Sequence, residues 1–206
     1  MTQSTGKEPP ELRRVLGELA RHGLLLKQDK TSPSVVGLIT GEALTGSWWN
    51  HPLAHAIYAL LAALTERADV LETKLIGGKV TFVVRTLWPA LLGVATSSEP
   101  WQRAGLSPAA ARLFDEVRDR GEHEASGPTV KELEQRLLVR SEQRHTAAGR
   151  HALVLESWPR WAEREKITAL PSDDSKRALE AAARSLGAPS AALPWLQKTR
   201  RPARKR

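Results

Sequence analysis

Residues 129–161, T-V-K-E-L-E-Q-R-L-L-V-R-S-E-Q-R-H-T-A-A-G-R-H-A-L-V-L-E-S-W-P-R-W, constrain the fold most, because a helical pattern passes directly into a basic hairpin. Thr129 and Glu132 have the spacing of a capping box for a helix over 130–137. A three-residue loop, Ala147-Ala148-Gly149, with glycine in the left-handed region, sets His145 opposite His151. It also gathers Leu137, Val139, Leu153 and Leu155 on one face. A two-residue loop would split those four across both faces, so the longer loop is preferred, since a buried face sets the register. Arg140, Glu142 and Arg144 then point outward, and Arg150 lies beside the tip.

A helix leading into such a hairpin is the outline of a winged helix. On that outline Arg140, Arg144 and Arg150 are candidate phosphate contacts, with Lys131 and Arg136 on the preceding helix. The same charges also suit a solvated hairpin.

Net charge is less informative than its location. The chain of 206 residues carries +8, but six of its 31 basic residues follow Leu196 with no acid among them. The preceding 196 residues hold 25 basic against 23 acidic groups, a surplus of two. Q-K-T-R-R-P-A-R-K-R is too polar and too crowded with like charge to fold alone, so residues 189–206 are predicted to form a disordered basic tail. Its Lys198, Arg200 and Arg201 are candidate contacts that attract phosphate without reading bases.

No apolar run approaches the ~18 residues of a membrane span, and M-T-Q-S-T-G-K-E-P-P is too polar for a secretory signal. The expected location is the cytoplasm, at the nucleoid if the chain binds DNA. The absence of cysteine excludes disulfides and thiolate chemistry.

In the N-terminal half, Leu12, Val15, Leu16 and Leu19 mark a helix over 10–21 that ends before Gly23. After a short apolar piece at 35–39, Asn50 is expected to cap a mostly buried helix reaching residue 66. Trp48 and Trp49 precede it, and adjacent positions on a regular element cannot both point inward. One of them is therefore a candidate for base stacking or partner contact. Residues 71–85 form a second predicted hairpin, with Gly77-Gly78 as a two-residue turn pairing Ile76 with Lys79. That register places Leu71, Thr73, Leu75, Val80, Phe82 and Val84 on a buried face. Lys74, Lys79 and Arg85 fall on a wet basic face, where Lys74 and Lys79 are candidate phosphate contacts.

Further helices are expected over 89–96, 107–120 and 159–168. An alanine-rich helix over 172–186, with Leu179 and Leu186 as its large anchors, is expected to dock weakly at the periphery. Helices followed by a hairpin thus occur twice. The predicted class is α+β, mainly helical, with two winged-helix-like modules at 11–98 and 99–170. A flexible start at 1–10, a peripheral helix at 171–188 and the tail complete the chain.

Trp48-Trp49, Lys74-Leu75, K-V-T-F-V at 79–83, W-P-A at 88–90, L-S-P-A-A at 106–110 and the later helix-plus-hairpin resemble bacterial winged-helix proteins related to the AlkZ-type DNA glycosylases. The resemblance covers roughly 48–161 and implies tandem winged helices and a role in DNA repair. Those glycosylases are considerably longer. Their catalytic pattern of two glutamines separated by one residue occurs nowhere here, so the resemblance implies fold and not catalysis.

No other catalytic signature is present. His51 and His55 have the i, i+4 spacing of two metal ligands, but neither an H-E-x-x-H glutamate nor a third ligand accompanies them. No metal or cofactor is expected. His145 and His151 fit backbone hydrogen bonding beside a turn, and Trp88, Trp158 and Trp161 fit sealing of a core.

The leading expectation is a DNA-binding protein, acting in repair or transcription on double-stranded DNA. The alternatives are a glycosylase-like repair enzyme with an unidentified catalytic residue, and a protein-interaction scaffold on the same fold.

Overall fold

Pro10 begins the first helix because its missing N–H is one that a helix start leaves unpaired. In the computed structural model, which describes residues 8–145 and 151–197, helix α1 spans Pro10–His22 and buries Leu12, Val15 and Leu19. The chain then turns into strand β1, Leu24–Leu26, whose three leucines are all buried. No alternating pattern announces this strand, because both of its faces are covered.

Helix α2, Val35–Thr40, is capped by the Ser34 hydroxyl, which accepts the Gly37 N–H at 3.1 Å. Helix α3 spans Ala54–Thr65. It starts four residues beyond the predicted cap at Asn50, because residues 48–50 form a separate short turn capped by Ser47.

Strands β2, Val70–Lys74, and β3, Val80–Val84, form the first hairpin, but in a register one residue from the predicted one. Leu71 lies opposite Val83, and Thr73 opposite Thr81. The turn is longer because Gly77 and Gly78 both take left-handed φ, 61° and 67°, and Ile76 drops into the core instead of pairing. Phe82 and Val83 point to opposite sides, yet both are fully buried. The expected wet face is therefore covered at Thr81 and Val83, while Lys79 and Arg85 remain exposed. β1 pairs with β3 to complete a sheet in the order β1-β3-β2.

Helices α4, Trp88–Ala95, and α5, Pro100–Arg103, lead to α6, Pro108–Arg120. Strand β4, Glu122–Glu124, follows, recruited by backbone pairing with a later strand. Helix α7, Pro128–Gln135, takes Gly127 as its cap. The predicted Thr129/Glu132 capping box does not form. Glu132 accepts instead from the Ser107 N–H at 2.9 Å and the Ser107 hydroxyl at 2.8 Å, tying α7 to the start of α6.

Strands β5, Arg140–His145, and β6, His151–Glu156, pair with His145 opposite His151, the predicted register. The residues of the predicted loop, 147–149, lie outside the described residues. The second sheet has the order β4-β6-β5, so in both sheets the short first strand lies beside the last.

The molecule is α+β, and its described residues form two small antiparallel three-stranded sheets and two apolar clusters. The smaller cluster holds Val117, Val130, Leu133, Leu138, Val139 and Leu155 of the second unit. Leu137, predicted to share that face, belongs to the larger cluster of the first unit. It lies in the left-handed region at φ 52°, a conformation that a bulky residue adopts only when its surroundings demand it.

Helices α8, Trp158–Glu165, and α9, Ser172–Ser185, return to the first unit. Trp158 and Trp161 of α8, and Leu179, Ala182, Ala183 and Leu186 of α9, are buried in its cluster. The segment predicted as a peripheral helix is thus a core element. Small side chains make this possible, since they let α9 approach α4 closely enough that a Cβ on Gly93 would overlap the Ser175 hydroxyl and the Leu170 carbonyl. Nor is residue 189 the start of a structureless tail: Leu193 is fully buried, and Trp195 Nε1 donates to Glu180 at 2.9 Å. The Lys198–Arg206 portion lies outside the described residues.

Two glycine-to-alanine substitutions should have opposite effects in urea denaturation. Gly93→Ala is expected to destabilise by about 1–3 kcal/mol through overpacking. Gly17→Ala, in the middle of α1 with no neighbouring atom in the way, should stabilise by about 0.5–1 kcal/mol.

Candidate functional site

The most distinctive surface lies along α3. Its Ile57, Leu60, Leu61 and Leu64 face the core, one stripe of helical spacing. The remaining circumference, predicted to be mostly buried, reaches solvent. Trp48 is buried and Trp49 is 62% exposed, the division that adjacency imposes. Their rings stack at 4.2 Å and 25°. Tyr58, 58% exposed, lies 6.0 Å from Trp49. Leu53 extends the patch.

Residues 43–65 contain no Asp, Glu, Lys or Arg, so this face is aromatic, aliphatic and uncharged. Tyr58 was not singled out from the sequence. Its signal was present, one position off the buried stripe and one turn beyond His55.

The predicted basic residues occupy different settings. Lys74 is ion-paired with Glu134 of α7, and Glu134 also accepts from the Ser141 hydroxyl. Lys79 pairs with Asp29. Burial alone would raise the Asp29 carboxyl, but Lys79 and the N–H groups of Thr31 and Ser32 hold it well below the usual carboxylate range. Arg136 donates through Nη1 to the carbonyls of Trp101 at 2.9 Å and Ala104 at 2.8 Å, closing the end of α5. Lys131 is exposed on α7. Arg150, Lys198, Arg200 and Arg201 lie outside the described residues.

Arg140 and Arg144 were expected on an outward face. They face the cleft between the units instead, within a lattice of ion pairs. Arg140 Nη1 donates to Glu142 at 2.9 Å and to Glu156 at 3.1 Å. Arg144 Nη1 donates to Glu122 at 3.1 Å, and its Nη2 lies 3.5 Å from Glu142. Arg164 of α8 pairs with Glu156, whose side chain is only 1% exposed. Burial would raise the Glu142 carboxyl, but the hydrogen bond from Arg140 and the charges of Arg140 and Arg144 lower it. Lys74, Lys79 and the Arg140/Arg144 pair are therefore held by different carboxylates and do not make one continuous basic face.

The cleft itself encloses about 400 Å³. Arg67, Trp88, Trp161, Arg164 and Glu165 line it together with Arg140, Glu142 and Arg144. Arg67 and Arg164 carry no local signal in the sequence, since only the packing of the two units brings them here.

Histidine chemistry is also placed. His51 Nδ1 accepts the Leu53 N–H at 3.1 Å, and its Nε2 lies 3.9 Å from Glu42. His22 connects Ser185 at 2.9 Å to Glu18 at 3.3 Å. This serine, histidine and carboxylate chain joins α1 to α9. Ser185 sits at the C-terminal end of its helix, whose partial negative charge opposes an oxyanion. Among the described residues no group of three His, Cys, Asp or Glu is arranged to hold a metal ion, and no helix is long and apolar enough to cross a membrane.

A scan against protein-family models, a search of curated proteins and a search of solved structures returned no match.

Glu156→Gln is expected to destabilise the fold by about 3 kcal/mol in urea denaturation, because it removes the one buried carboxylate that Arg140 and Arg164 share and leaves Arg140 only the half-exposed Glu142. Glu163→Gln, one exposed charge on α8, should stay within about 0.5 kcal/mol. Asp29 has a folded-state pKa below its ordinary value of 3.8. Its contribution is therefore complete above that value and is lost as pH falls through the folded pKa. Stability measured from pH 6 downward should fall less steeply below about pH 4 in Asp29→Asn than in the parent chain.

Proposed function

We propose that this chain is a DNA-binding protein without catalytic activity of its own, built from two winged-helix-like units. The first unit runs helix, strand, two helices and hairpin, and its first strand lies beside its last. That order supports a winged-helix reading. The second unit is abbreviated, with one helix between β4 and its hairpin.

The observation that carries the proposal is the position and surface of α3. It is the helix immediately before the hairpin, the place of a groove-reading helix in helix-turn-helix folds, and its outer side presents Trp49 and Tyr58 to solvent. Aromatic rings at that position suit stacking on bases. Phosphate attraction falls to Lys131 and to the basic residues at 150 and beyond 197, because Lys74, Lys79, Arg140 and Arg144 already have carboxylate partners.

One observation favours a second reading, a protein-interaction module. A nucleic-acid surface needs cations near the phosphates, and residues 43–65 supply none.

Fluorescence anisotropy with a perfect duplex and with a duplex containing unpaired bases separates the two. On the DNA reading, affinity falls at least about tenfold between 50 and 200 mM salt. Trp49→Ala and Tyr58→Ala each weaken binding by roughly fivefold or more, with the larger loss on unpaired bases. Replacing Lys198, Arg200 and Arg201 together by Gln flattens the salt dependence. Binding that is insensitive to Trp49 and Tyr58 would transfer α3 to the protein-interaction reading, and a flat salt response would end the DNA reading.

A further inference from the structure

The cleft between the units has a charge arrangement that the packing of two apolar clusters does not require. Arg67, Arg140, Arg144 and Arg164 line it with Glu142 and Glu165, and Glu156 and Glu122 hold Arg140, Arg164 and Arg144 through further ion pairs. Trp88 and Trp161 are also part of the lining. Its volume of about 400 Å³ lies within the range of small-ligand sites.

Glu142 has a particular place in it. Arg140, Glu142 and Arg144 alternate along β5, so their side chains share one side of the strand. A single oxygen of Glu142, Oε2, takes hydrogen bonds from Arg140 at 2.9 Å and Arg144 at 3.5 Å. Its side chain is 37% exposed and can swing into solvent by rotation about its own bonds. Arg140 cannot follow, because it is 13% exposed and also bound to the buried Glu156. Its Nε is buried without an acceptor.

A carboxylate and a phosphoryl group present the same kind of oxygens to a guanidinium fork, and the phosphoryl group carries more charge. We infer that the cleft is a phosphate-binding site in which Glu142 stands in for the ligand. A phosphoryl group enters between Arg140 and Arg144 as Glu142 turns outward. Arg67, held by Asp69 and Glu8, lines the cleft from the first unit. Glu156 remains in place beneath, keeping Arg140 and Arg164 extended toward the cleft. The ligand is either a free phosphate-type anion or a phosphate belonging to a nucleic acid. The inference rests on the cleft alone and is independent of the α3 surface.

Isothermal titration of the full chain with inorganic pyrophosphate tests it. Glu142→Gln removes the competing charge and should tighten binding by about threefold to tenfold. Arg144→Gln and Arg67→Gln, from opposite sides of the cleft, should each weaken it by a similar factor. Arg118→Gln makes the same charge change on α6 away from the cleft and should leave it unaltered, as should Trp49→Ala.

Titration with 5′-phosphorylated and 5′-hydroxyl oligonucleotides of equal length then identifies the source. A gain from the terminal phosphate that is lost in Arg144→Gln assigns the site to nucleic-acid ends, and pyrophosphate binding without that gain assigns it to a free anion. No tightening in a folded Glu142→Gln chain, or an equal loss in Arg118→Gln and Arg144→Gln, overturns the inference.

Discussion

The relative placement of the two units depends on one buried carboxylate. Glu156 ends β6, the last strand of the second sheet, and is enclosed with Arg140 and Arg164 directed at it. A carboxylate so far from water loses several kcal/mol of hydration, and only well-placed counter-charges offset this. Arg140 comes from the neighbouring strand and Arg164 from α8, so satisfying one acid fixes the hairpin and the helix after it in a single geometry. That helix carries Trp158 and Trp161 into the first unit's cluster.

A second link works by shape. Leu137 leaves the end of α7 with left-handed backbone and inserts into the first cluster, while Leu138 and Val139 turn into the second. Three consecutive residues thus divide between two cores. Lys74 of the first hairpin pairs with Glu134 on α7 nearby, so the first unit's hairpin and the second unit's helix engage each other. What stays open is α3 of the first unit. This pattern of engagement supports a functional reading centred on α3 and the cleft.

The legible parts of the fold were those governed by local periodicity. The stripe of α1, the second hairpin's register and the division between Trp48 and Trp49 all follow from spacing and adjacency. β1 and β4 escaped notice because each is three residues long and is defined by backbone pairing with a distant strand, Leu24 with Val83 and Glu122 with Glu156. The first hairpin slipped by one residue because Ile76 gained more by burial than by pairing, a choice that depends on the core beneath it. For the candidate site, one exposed ring at Trp48-Trp49 was legible, and the structure decided that it is Trp49. Tyr58 was hidden in a helix whose apolar composition predicted burial all round.

Sequence by itself determined the longer helices, the presence of two hairpins, the separation of most net charge into the last residues and the lack of Asp, Glu, Lys and Arg along 43–65. These are properties of neighbours in the chain. Only tertiary structure decided that Arg140 and Arg144 face a cleft and not solvent, that α9 belongs to the core, and that Arg67 and Arg164 meet across the units. The reason is that a charge's role depends on which carboxylates packing brings within hydrogen-bonding distance. Glu122 and Glu156 reach the arginines through strand pairing and helix docking, which no local pattern encodes.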